Sequence, residues 1–161
     1  MKHCEARQGR IFVIRLEDGE IIHESLEKFA FEHGISSAVL IFVGGAQSGT
    51  VVVGPSEPQA GLIVPMLLPF SEAHELLGVG TIFLNENGYP VSHIHGALGR
   101  NGDAIVGCLR KGVETWKVIE VILIELTDAD AIRKVDPDTG FELLDPGKTR
   151  STRRENSNLQ S

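Results

Sequence analysis

Most apolar segments of this chain are short, β-branched and bounded by glycine, proline or charged turns. One segment instead repeats its apolar residues at helical spacing. "RIFVIRL" (10–16), between Gly9 and "EDGE", predicts a strand. "EIIHESLEKFAFEHG" (20–34) predicts an amphipathic helix: Ile22, Leu26, Phe29 and Ala30 fall on one face and Gly34 is a natural stop. "SSAVLIFVGG" (36–45) and "SGTVVVG" (48–54) predict two strands separated by a glycine-rich bend, and "PSEPQAGLIVP" (55–65), with three prolines, predicts a loop. A further strand is expected from about Glu75 to Leu84, two more in 89–99 and 103–110 around a tight turn, and the longest in "TWKVIEVILIEL" (115–126). Residues 128–147 form a polar closing segment with a "PDTG" turn. Few of the connections are long enough for a crossover helix, so most of the pairing should be antiparallel. The expected fold is an α+β domain around a mainly antiparallel, partly closed sheet.

One of these turns carries chemistry. In "SHIHGALGRNGDAIVGCL" (92–109), Asn101-Gly102 is a strong two-residue hairpin signal. It sets Arg100 opposite Asp103, and from there His95 opposite Cys108 and His93 opposite Arg110. His93 and His95, two apart on a strand, share a face, and directly opposed residues share it too. A one-residue slip, for which a bulge at Gly107 is the obvious cause, would turn the cysteine away. Two imidazoles and a thiolate suit zinc, and three protein ligands leave a fourth position open. The bland alternatives are a small buried cysteine and two surface or core histidines. His74 would join as a fourth participant if its strand lay alongside; surface or edge placement is the favoured reading. His3, His23 and His33 read as exposed.

Composition narrows the classes. The chain has 161 residues, enough for one domain with its own core. Two cysteines, Cys4 and Cys108, are too few for a disulfide framework and fit a cytoplasmic setting. "MKHCEARQGR" has no apolar core of a signal peptide, and Glu120 and Glu125 interrupt the longest apolar run, so a membrane role is not expected. The net charge of −7 argues against a general polyanion binder. The tail 148–161, with Lys148, Arg150, Arg153 and Arg154, reads as disordered, with a weak nucleic-acid or partner arm as the alternative.

Taken in order, "HELLGVGTIF", "SHIHGALGRNGDAIVGCL" and "VIEVILIEL" resemble the plant and prokaryote conserved (PPC) domain, and the opening strand, helix and glycine-rich segment and the closing "DPDTGFELLD" fit the same pattern. The resemblance covers roughly residues 8–146, read as a single domain, and leaves 147–161 as a tail. It implies a mainly antiparallel sheet with flanking helices and a homotrimer. In some prokaryotic members it also implies a metal held by three histidines, two from a His-x-His and one from a Gly-Gly-His. The first motif is present as His93-Ile94-His95. The second is replaced by Val106-Gly107-Cys108, so the third ligand becomes Cys108. Glu75 matches an acidic family position and reads as a structural hydrogen-bonding residue, or as a carboxylate supporting the site or acting as a general base. The family's stand-alone prokaryotic members are often labelled DNA-binding. Here no AT-hook core is present, and DNA is the alternative partner rather than the expected one. The expected function is a trimeric, zinc-like metal site for ligand binding or for hydrolytic or lyase chemistry on a small molecule. A scaffold without metal is the remaining reading.

Overall fold

The computed structural model describes residues 1–56 and 63–147. Part of the predicted loop (57–62) and the tail (148–161) lie outside the described residues. Among the described residues nine strands and one helix form in chain order: β1 (Arg7–Glu17), α1 (Ile22–Glu32), β2 (Ser37–Pro55), β3 (Pro65–Phe70), β4 (His74–Leu84), β5 (Pro90–Arg100), β6 (Asp103–Leu109), β7 (Glu114–Thr127), β8 (Ile132–Val135) and β9 (Glu142–Asp145).

The helix forms where its apolar spacing puts it. Ile22, Leu26 and Ala30 are fully buried. Its end is fixed by Gly34 (φ 64°): Gly34 N donates to Phe31 O and Ile35 N to Ala30 O, the paired bonds of a Schellman stop. The flanking helices implied by the family resemblance reduce to this one helix among the described residues.

The main sheet runs β1-β7-β2-β4-β5-β6 with every pair antiparallel, and β3 adds to β2. The two strands expected at 36–45 and 48–54 are one continuous, bent strand. Its first half lies between β7 and β4, and its second half pairs with β3 and β6. The bend occurs where the register slips at Gly44/Gly45 and Ala46/Ser48. A Cβ at Gly44 (φ 152°) would sit 2.3 Å from Val118 O, so only glycine lets β7 approach there. Because β6 pairs with both β5 and the far half of β2, strands β2, β4, β5 and β6 close on themselves.

Strands β4 and β5 alternate buried and exposed residues, so the sheet has an inner and an outer face. The inner face carries Leu40, Phe42, Leu76, Ile82, Ile94, Leu98, Ile119 and Leu123 and packs with α1. At the β1–β7 edge, Arg10 donates from Nε and Nη2 to the Glu125 carboxylate, both at 2.7 Å, and its backbone N–H donates to the same group. These bonds hold the Glu125 pKa down to about 2.

Two strand pairs were invisible to apolar patterning. Pro65 and Pro69 masked β3, which tolerates them as an edge strand. The β8–β9 hairpin is only four residues per strand and lies within the polar closing segment. It docks on the main sheet through Arg133, which donates to Thr81 Oγ1 (2.9 Å) and Val91 O (3.3 Å) and lies over the Phe83 ring.

Candidate metal centre

The β5–β6 turn has the expected left-handed backbone, φ 54° at Asn101 and 90° at Gly102. The register follows without a slip, from Arg100↔Asp103 through Gly96↔Gly107 to His95↔Cys108. The ladder ends there. Arg110 leaves β5, and its N–H donates to Thr50 O of β2, so the expected His93–Arg110 pairing does not form.

Gly107 decides where the cysteine sits. It causes no bulge and instead allows contact: a Cβ there would lie 2.2 Å from Val52 O. Its absence lets β6 close onto β2 through Val51↔Leu109 and Val52↔Cys108. Cys108 is thereby half-buried and fixed from both sides.

The potential ligand atoms of His93, His95 and Cys108 all lie within 4.8 Å of one another. The two imidazoles stand edge to face, with ring centroids 5.0 Å apart. Zinc bonds of about 2.0–2.3 Å in tetrahedral geometry require ligand atoms roughly 3.3–3.8 Å apart, so the set is at most about 1–1.5 Å wider than a bonded one, with both imidazoles exposed. The donor chemistry and spacing therefore fit such an ion. Burial, then the positive charges of Arg133, His95 and Arg110, push the His93 pKa down. Neutral imidazole is the ligating form.

Three other residues sit differently from their sequence readings. His74 is buried rather than at an exposed edge, its ring edge-on to Phe70. It pairs with Ala46, whereas Val79 is the β4 residue opposite His95. Five residues of strand, about 17 Å, separate the two positions, so His74 is no ligand here. Glu75 is exposed and opposite Gly99, also remote from the three side chains. His23 is buried, not exposed: it is 2% accessible, its Nδ1 has no hydrogen-bond partner among the described residues, and burial pushes its pKa down to about 4. A signal for this existed, since His23 stands three before Leu26 and seven before Ala30, on the apolar stripe.

A cleft of about 710 Å³ opens on the His93 and Cys108 side of this cluster. His93 and Cys108 line it together with Arg110 and Lys111 from the end of β6, His23 from α1, and Arg133, Phe141 and Glu142 from the β8–β9 hairpin. Sequence reasoning missed Arg133 and the hairpin, because only the tertiary fold brings them here.

This fold and site define a class. The chain belongs to the Plants and Prokaryotes Conserved (PCC) domain family, whose model matches residues 3–127. Among solved structures, a plant- and prokaryote-conserved protein from Pyrococcus horikoshii is similar at 25% identity and a TM-score of 0.77, over 89% of this chain and 96% of that one. A metal-containing protein from Archaeoglobus fulgidus is similar at 28% identity and a TM-score of 0.75, over 89% of this chain and 98% of that one. A Ralstonia eutropha protein named for a conjectured DNA-binding role shares the fold, at 21% identity and a TM-score of 0.69, over 83% of this chain and 89% of that one. No curated protein matches. Among the described residues, no helix is long and apolar enough to cross a membrane.

Proposed function

We propose that this chain is a homotrimeric, metal-binding member of its family in which His93, His95 and Cys108 hold one zinc-like divalent ion. The observation that carries this reading is the convergence of the three donors within 4.8 Å on a hairpin whose register is fixed from both sides. The similar Archaeoglobus fulgidus protein is named as metal-containing, which supports the same reading. When bound, such an ion supplies a Lewis acid with one open position, suited to ligand binding or to hydrolytic or lyase chemistry on a small molecule. The chain's own part is to present His93 as a neutral ligand and to hold Cys108 against β2. Both cysteines are free, in keeping with a reducing, cytoplasmic setting.

The outer sheet face supports the trimer. Val13, Ile122, Ile41, Val79, His95 and Cys108 are successive partners across six strands. Val13 is 82%, Val79 56% and neighbouring Leu77 58% exposed. An apolar surface spanning a whole sheet marks an assembly face, and this one ends at the metal ligands. We take residues 8–146 as the single domain that assembles, because Arg133 ties the hairpin to the main sheet.

The test is elemental analysis of protein purified without a nickel column, with sedimentation on the same sample. About one zinc per chain, lost in His95→Ala with the fold retained, supports the site; metal content unchanged by that substitution overturns it. A monomer at micromolar concentration overturns the trimer.

A further inference from the structure

The cleft beside the three ligands has a charge pattern that ligand-free packing does not explain. Arg133 is 4% exposed, yet both acceptors of its guanidinium, Val91 O and Thr81 Oγ1, are neutral. Buried guanidinium groups are ordinarily matched to a carboxylate, because burying an uncompensated charge is costly. No carboxylate lies within ion-pair distance of Arg133 or of the exposed Arg110 among the described residues. Lys111 is already matched: its Nζ meets Glu27 Oε2 at 3.0 Å, while Glu27 Oε1 accepts the Ser92 N–H and hydroxyl. Among the described residues the one acid lining the cleft is Glu142, exposed on the hairpin, whose charge favours the Arg133 guanidinium from beyond ion-pair distance. Two guanidinium groups with no close ion-pair partner among the described residues thus face one cleft of about 710 Å³ in a chain whose net charge is −7. A volume of that order is typical of small-molecule sites.

We propose that this cleft binds a small organic oxyanion, a carboxylate or a phosphate, seated between Arg110 and Arg133 with the rest of the molecule directed toward His93 and Cys108. Guanidinium forks match either group through paired charge-assisted hydrogen bonds. The inference rests on the metal reading in one respect: it supplies the ligand class for the same site. The anion contacts themselves belong to side chains outside the metal set. Glu142 acts as a gatekeeper charge, opposing anions that do not engage both arginines.

The experiment is calorimetric titration of the full chain with inorganic phosphate and, separately, with malonate, before and after loading with zinc. Saturable binding of at least one probe is expected, weakened about tenfold or more by Arg110→Gln and strengthened by Glu142→Gln. Both residues are exposed, so neither substitution threatens the fold. Malonate binding alone identifies a carboxylate ligand, and phosphate binding alone a phosphate ligand. Absence of saturable binding by either probe overturns the inference, as does binding unaffected by both substitutions. Anion binding in protein that takes up no zinc sustains this inference while refuting the metal reading. Zinc uptake without anion binding does the reverse.

Discussion

Gly107 is where fold and site depend on the same atom. A methyl group there would begin 2.2 Å from Val52 O and 2.8 Å from Val51 Cγ1. Ordinary contact begins near 3.4 Å, so β6 must retreat from β2 by roughly 1 Å. The retreat opens the Val51↔Leu109 and Val52↔Cys108 pairs and loosens two core side chains, Val51 and Leu109. Overpacking of this kind costs about 1–3 kcal/mol. The site suffers more in proportion. Cys108 is the next residue along, and metal constellations tolerate only about 0.5 Å of displacement. Gly107→Ala should therefore lower zinc affinity about ten- to a hundredfold, read by competition with a chromophoric chelator, together with a lower Tm. Gly99→Ala is the control: it lies in the same hairpin, and a Cβ there meets nothing within 4 Å. Wild-type zinc affinity and Tm in Gly107→Ala would refute the claim that β2 positions the cysteine.

The remaining predictions concern charge and assembly. Because the Glu125 pKa is held at about 2, below its ordinary value, its contribution is complete above pH about 4.5 and is lost as pH falls toward 2. Glu125→Gln should cost about 1–2 kcal/mol at neutral pH and flatten the acid limb of a denaturation series in that window; an unchanged limb would count against the pair. His23 is also depressed, to about 4 from 6.5, so its unfolded form binds protons first and stability should fall by about 3 kcal/mol between pH 6.5 and 4, then level off. His23→Gln should remove that slope in urea denaturation, and a slope that survives would contradict a neutral, buried His23. Val79→Glu places a charge in the middle of the outer face without touching the core, and sedimentation should show smaller, folded species; an oligomer of unchanged mass would move the interface elsewhere.

What the sequence disclosed was local. The Asn101-Gly102 turn fixed a register that carried through six pairs to His95↔Cys108, because a two-residue turn leaves little freedom and glycine pairing at 96 and 107 accommodates the close approach. The helix was legible from one apolar stripe and one glycine. What stayed hidden was non-local. Gly44 and Gly45 look like a break between strands, and only the approach of β7 shows that the strand runs through them. Pro65 and Pro69 hid an edge strand. His74 was legible only as a conditional participant: its strand does lie alongside β5, but the register puts Val79, not His74, opposite His95, and His74 is buried beside Ala46. Arg133 carries no signal in its own segment, and its place in the cleft follows from how the hairpin docks on Thr81 and Val91.

In the proposed site one ion is held by two imidazoles and one thiolate of a single chain. The most direct measurement is the electronic spectrum of the protein titrated with cobalt(II) in place of zinc. Saturation is expected at one equivalent per chain, with visible bands of a low-symmetry, near-tetrahedral site and a thiolate-to-cobalt charge-transfer band that disappears in Cys108→Ser. A spectrum like that of cobalt in buffer alone, or a charge-transfer band that survives Cys108→Ser, would contradict it.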